Sequence, residues 1–179
     1  MMDFEKLRAM ADKAGFSHVS PMDVTIVDLK QQVRDMCATN SCGRYGHNWA
    51  CPPACGELDA LRTEVGRYRK GILVQTVGEV EDSFDFEGMM EAEAAHREHF
   101  MAMHDLLMGE YPNMLALNAG TCSRCQQCTY PDAPCRFPDK RFSSMEAYGM
   151  LVMEVCKQNG MEYYYGPNAI AYTGCFLLE

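Results

Sequence analysis

Eight of the ten cysteines in this chain fall into two quartets, Cys37-x4-Cys42-x8-Cys51-x3-Cys55 and Cys122-x2-Cys125-x2-Cys128-x6-Cys135. Thiolates gathered this closely are metal ligands before they are anything else. The second quartet is the more specific. Three cysteines at two successive x2 spacings can wrap one face of a cubane, as in bacterial ferredoxins. Structural zinc instead draws its ligands from two separated knuckles, such as one C-x2-C pair and a second distant pair. The spacing therefore favours a [4Fe–4S] cluster, with zinc as the alternative. Ferredoxins place their fourth cysteine after three residues, with Pro next. Here six residues intervene and the continuation is Cys135-Arg136-Phe137-Pro138, so Cys135 either closes this cluster or serves another.

The first quartet matches no common zinc-finger spacing. Gly43, Gly46 and the pair Pro52-Pro53 let the backbone turn closely and offer N–H groups to cluster sulfurs. Trp49 either shields this first cluster from water or is an ordinary core tryptophan. With Cys55 as fourth ligand the cluster is closed. Without it, Cys37, Cys42 and Cys51 leave one iron open to a substrate or to a borrowed ligand. Cys156 and Cys175 read as buried structural thiols, which pack as small hydrophobes. His47, inside the first loop, reads as a surface histidine, with a ligand or proton donor as the alternative.

Other chemistry is weaker. Glu93-x2-His96 resembles half of a di-iron carboxylate site, but such sites need the motif from two helices and only one copy occurs. His96, His99 and His104 are therefore expected on a polar, solvated helix face. The chain has no G-x-x-x-x-G-K-[ST], no G-x-G-x-x-G and no G-x-S-x-G. A formal charge of −9 argues against nucleic acid or an anionic membrane surface as partner, because phosphate contacts need clustered Lys and Arg. It suits a soluble surface or docking to a basic redox partner protein. The 15 methionines are gap-filling core residues rather than ligands.

The start, Met1-Met2-Asp3-Phe4-Glu5-Lys6, lacks the basic and apolar regions of a secretory signal. No apolar run approaches the roughly 18 residues of a membrane span. A cytoplasmic location follows as an expectation, and in that reducing pool ten cysteines stay thiols unless metal holds them. With 47% hydrophobic residues, the chain has the material for a real core without metal.

The elements that must position these ligands follow from periodicity. Phe4, Leu7, Ala11 and Ala14 make one face of a helix that Asp3 caps and Gly15 ends. Val24–Val27 reads as a short strand. Residues 28–56 read as a metal-organised loop after a short helix, and Leu58, Leu61, Val65 and Tyr68 mark the next helix. Ile72–Val80 reads as a central strand, residues 87–110 as a long helix and Met114–Leu117 as a short buried strand. Ser143-x-x-Glu146 is a candidate capping box for a helix ending near Gly160, and Ala169–Leu178 closes the chain as a strand. The expectation is an α/β or α+β fold in one domain over residues 1–179: a sheet with flanking helices and two cysteine-rich metal-binding loops, 37–55 and 122–135.

With these residues in view, the chain resembles a family of cysteine-rich predicted metal-binding proteins common in anaerobic bacteria and archaea (domain of unknown function 2284). The resemblance rests on Cys37-x4-Cys42-Gly43-x-Tyr45-Gly46 leading to Trp49-Ala50-Cys51-Pro52-Pro53. It continues in Gly120-Thr121-Cys122-x2-Cys125-x2-Cys128, Cys135-Arg136-x-Pro138 and Ser144-x-Glu146-Ala147-x-Gly149. It implies metal binding through Cys37, Cys42, Cys51, Cys122, Cys125, Cys128 and Cys135, and it names no reaction. Three functions follow as expectations. The first is an iron–sulfur protein with two [4Fe–4S] clusters in cytoplasmic electron transfer. The second is an enzyme or activator whose incompletely ligated cluster binds a small substrate. The third is a zinc-organised binding module.

Overall fold

A computed structural model describes residues 3–179, so Met1 and Met2 of the expected leaderless start lie outside it. Helix α1 (Phe4–Ala14) begins where Asp3 accepts a hydrogen bond from the Lys6 amide and ends at Gly15, with φ of 104°. Strand β1 (His18–Asp23) follows, then a single 3-10 turn (Val24–Ile26), α2 (Gln31–Ala38) and α3 (Leu58–Val65). Strand β2 (Lys70–Glu79), α4 (Phe86–Leu107) and β3 (Leu115–Asn118) come next. Strand β4 (Ser143–Ser144), α5 (Val152–Gln158) and β5 (Ala169–Leu178) complete the chain.

The five strands form one mixed sheet in the order β1-β2-β5-β3-β4, antiparallel except for the parallel β3–β4 pair. The fold is α+β, a five-stranded sheet flanked by helices, as the sequence predicts. The middle place belongs to β5, with β2 as its ten-residue neighbour. Strands alternate their side chains between faces, and here both faces are covered. Leu73, Cys175 and Leu177 point into one core with Leu58, Leu61, Val65, Val155 and Met150. Ile72, Val74, Phe176 and Leu178 point into the other, where Leu7 and Ala11 of α1 meet Phe100, Met103 and Leu107 of α4. Burial on both faces explains why β2 and β5 read as near-continuous apolar runs.

Three expectations change. Val24–Val27 is not a strand: the Asp23 carboxylate accepts from both the amide and the hydroxyl of Thr25, which closes a turn where strand pairing ends. The strand lies just before it, at the sheet edge, where Pro21 is tolerated. Ser143 does not cap a helix either. Ser143 and Ser144 pair with Leu117 and Asn118 as β4, and the Ser144 hydroxyl accepts from the Ala147 amide in a turn. Gly149, at φ 87°, stops any helix there. A Cβ on it would stand 3.1 Å from the Lys30 carbonyl oxygen, so the helix waits until Val152 and ends near Gly160 as expected.

The third change concerns α4. Its histidines do not form a solvated face: His96 is 1% exposed and His104 is also buried. Because α4 crosses the sheet, His96 lies among Phe16, Phe100 and Tyr172. Thr76 of β2 bridges the Nδ1 atoms of His96 and His99, at 3.0 Å to each. No described helix is long and apolar enough to cross a membrane.

Candidate metal centre

Cys37 rides on the last turn of α2, Cys42 in the turn after it, and Cys51 and Cys55 on the loop entering α3. Positive φ angles at Gly43 and Gly46 (69° and 70°) turn this loop back on itself, and the Gly46 amide donates to the Pro52 carbonyl at 2.9 Å. The four thiols are near enough to sense one another. Burial pushes the Cys51 thiol up to about 11; Thr121 opposes the rise, and charge on Cys42, Cys55 or Cys37 adds to it. Burial also raises Cys37 and Cys55; charge on Glu146 and then on Cys42 adds to the first rise, and charge on Cys37 adds to the second.

The second quartet hangs between β3 and β4. Cys122, Cys125, Cys128 and Cys135 line one small cavity. Burial raises the Cys122 thiol, the Arg124 amide opposes this, and charge on Cys135, Cys128 or Cys125 adds to it. Buried thiols with raised pKa are protonated at neutral pH when no metal is bound, so a metal must displace their protons. All ten cysteines are free thiols. As they stand, no three Cys, His, Asp or Glu side chains among the described residues are grouped to hold a single metal ion.

The two loops lock together. Asn48, buried, accepts from the Ala50 amide at 2.8 Å through Oδ1 and donates at 3.1 Å through Nδ2 to the Cys122 carbonyl. Thr121 Oγ1 stands 3.7 Å from Cys51 Sγ. The Trp49 indole N–H donates to the Ala133 carbonyl at 3.0 Å, and Tyr130 meets the ring edge-on. Trp49, expected as a shield for the first centre or as plain core, instead lines the cavity of the second.

Arg34 is the residue that spacing alone did not expose. It lies on α2 one turn before Cys37 and is only 8% exposed. Its guanidinium donates to the carbonyls of Ala147 and Gly56, each at 2.8 Å, and Nη1 stands 3.7 Å from Cys55 Sγ. It pairs with no carboxylate among the described residues. A buried charge is costly unless compensated. Two thiols here can carry the opposite sign: charge on Arg34 lowers both Cys37 and Cys55, while the Glu146 carboxyl, which forms no ion pair with Arg34, acts on Cys37 in the opposite sense. The i, i+3 spacing to Cys37 is the one sequence signal that could have found it. This donor set fits a centre of net negative charge, such as several thiolates on a metal.

The remaining candidates fall outside these groups. Cys156 and Cys175 are fully buried in the core. His47 is exposed. Glu93 pairs with Arg97 at 3.3 Å, while His96 turns its Nδ1 to Thr76.

No curated protein and no solved structure was found to match the chain. A family model does match, over residues 20–178, and this span takes in both quartets, Arg34 and the whole sheet but for the first two residues of β1. The chain belongs to the DUF2284 family of predicted metal-binding proteins.

Proposed function

We propose that this metal-binding protein carries two [4Fe–4S] clusters and passes single electrons between cytoplasmic partners. Cys37, Cys42, Cys51 and Cys55 would hold one cluster, and Cys122, Cys125, Cys128 and Cys135 the other. The observation that carries the reading is the buried Arg34 guanidinium, which stands 3.7 Å from the Cys55 thiol and pairs with no carboxylate among the described residues. It supports Cys55 as a fourth thiolate, because a closed four-thiolate centre supplies the most negative charge at that point. The two successive x2 spacings in the second quartet favour a cubane over zinc.

When bound, each cluster supplies reversible one-electron chemistry. The chain supplies the rest. Asn48 and Thr121 tie the two loops together, which keeps the centres adjacent. Trp49 and Tyr130 pack beside the second quartet and limit access of water to it. Arg34 offsets negative charge at the first, and a nearby fixed cation stabilises the more negative, reduced state. From Glu79, the last residue of β2, to Glu93 the chain has seven carboxylates and no Lys or Arg. That segment suits docking to a basic redox partner.

The test is anaerobic purification followed by iron, zinc and sulfide analysis, with spectra before and after dithionite. About eight iron and eight sulfide are expected for two cubanes. Stoichiometric zinc without sulfide, in protein from iron-replete cells, would replace this reading with the zinc module.

A further inference from the structure

Beside the second quartet the surface opens into a cleft of about 520 Å³ between α4 and the loop after β3. Ligand sites for small molecules commonly fall in this size range. Cys122, Thr121 and Asn118 form part of its wall, and Met101, Phe142 and Ala94 contribute apolar surface. Arg97, Arg124 and Lys140 also line it, against one carboxylate, Glu98.

Three cations around one hollow are unexpected in a chain of formal charge −9. Arg97 also touches Glu93 at 3.3 Å and Ser123 Oγ at 3.0 Å, and Lys140 touches Asp105 at 3.1 Å. These are part-exposed surface pairs, which hold their partners weakly and can swing toward a ligand. Arg124 pairs with no carboxylate among the described residues and lies over the Phe137 ring. Asn118 also neighbours the buried His96. Its Nε2 is buried without a hydrogen-bond partner, although Asn118 lies close enough to favour the charged ring. The arrangement combines apolar contact, an amide and convergent positive charge, which is the chemistry that selects an organic anion.

We propose that this cleft binds a small organic anion, a carboxylate or a phosphate ester, with its body on Met101 and Phe142 and its charge among Arg97, Arg124 and Lys140. The adjacent thiol of Cys122 then sets the bound molecule beside the second metal centre. That juxtaposition with a redox group rests on the cluster reading above, whereas anion binding does not. The cations also offset the repulsion that a negatively charged thiolate centre exerts on an incoming anion.

Calorimetric titration of the metal-loaded protein with benzoate, succinate, phenyl phosphate and inorganic phosphate tests the proposal. At least one organic anion should bind saturably and more tightly than inorganic phosphate. The carboxylate and ester arms distinguish the two sources of charge. Lys140→Gln and Arg97→Gln should each weaken that binding roughly tenfold, the scale of one charge-assisted hydrogen bond. Met101→Trp, which fills the apolar side without touching a charge, should weaken it as well. No saturable binding, equal affinity for inorganic phosphate, or affinities unchanged in all three variants overturns the proposal. Iron and sulfide are measured on the same samples: their absence would count against the clusters, while the titrations would still decide whether the cleft binds an anion.

Discussion

The Arg34 guanidinium and the Cys55 thiol stand 3.7 Å apart in the half-buried space between α2 and the start of α3. The cation is anchored by the carbonyls of Ala147 and Gly56, so it cannot turn away to water. The pair ties the fourth cysteine of the first quartet to a charge that needs an anion.

Both members should therefore be needed for the first centre. Cys55→Ala is expected to lose about half of the iron and sulfide, and the EPR signal of one of two reduced clusters. Arg34→Met should weaken retention of the same centre while leaving the second in place. Removing one partner of a buried charge pair typically costs about 3–5 kcal/mol. Denaturant midpoints of the metal-loaded variant should fall accordingly. Full iron with an unchanged EPR spectrum in Cys55→Ala would leave the first centre open or borrowing another ligand.

Cys125→Ser is expected to empty the second centre and spare the sheet. Cys125 lies on the loop between β3 and β4, away from the two cores that sandwich β2 and β5. Circular dichroism should keep its strand and helix signature while iron drops by about half. Complete unfolding would show instead that metal binding and folding are one event.

His96 should make stability depend on pH. Burial lowers its pKa to about 4, with charge on His99 adding to the effect and Asn118 opposing it. In the unfolded chain the ring titrates near 6.5, so between about 4 and 6.5 the unfolded state binds the extra proton. Stability from this residue therefore rises with pH across that window and is fully present above it, a change of about 3 kcal/mol. The aromatic neighbours Phe16, Phe100 and Tyr172 can accept His96→Phe. Urea midpoints from pH 5 to 7 should show a flatter slope in that variant than in the parent; parallel slopes would refute the assignment.

Phe100 holds α4 on the sheet. It is fully buried and stacks on Phe176 with ring centroids 4.4 Å apart. The approach is close because residue 174 is Gly: a Cβ there would fall 2.7 Å from the Phe100 ring. Phe100→Ala should cost about 3–5 kcal/mol, read as a lower denaturant midpoint with metal content unchanged. A loss under about 1 kcal/mol would mean the cavity collapses freely.

Much of this protein was legible in one dimension. The run Ala169–Leu178 is a strand over its whole predicted length, and α1 starts at Asp3 and stops at Gly15 as its caps require. Both signals are local: alternation or an unbroken apolar run in the first case, orphan amides and a left-handed glycine in the second. The cysteine quartets were legible for the same reason, since ligand spacing is itself a sequence property. Ser143-x-x-Glu146 misled because a hydroxyl that accepts from an amide three residues on can close a turn as well as cap a helix; Ser144 makes that bond, from the Ala147 amide, and Gly149 against Lys30 rules out the helix.

Tertiary structure alone decided what lies across from what. It put Trp49 of the first loop beside the second quartet, buried His96 under α4, and set three cations around the cleft by Cys122. It also set Arg34 beside the Cys55 thiol and two carbonyls, with no carboxylate among the described residues paired to it. A residue's spacing along the chain determines which atoms it can reach locally. The cost of its charge depends on how much water the fold removes and which distant groups replace that water.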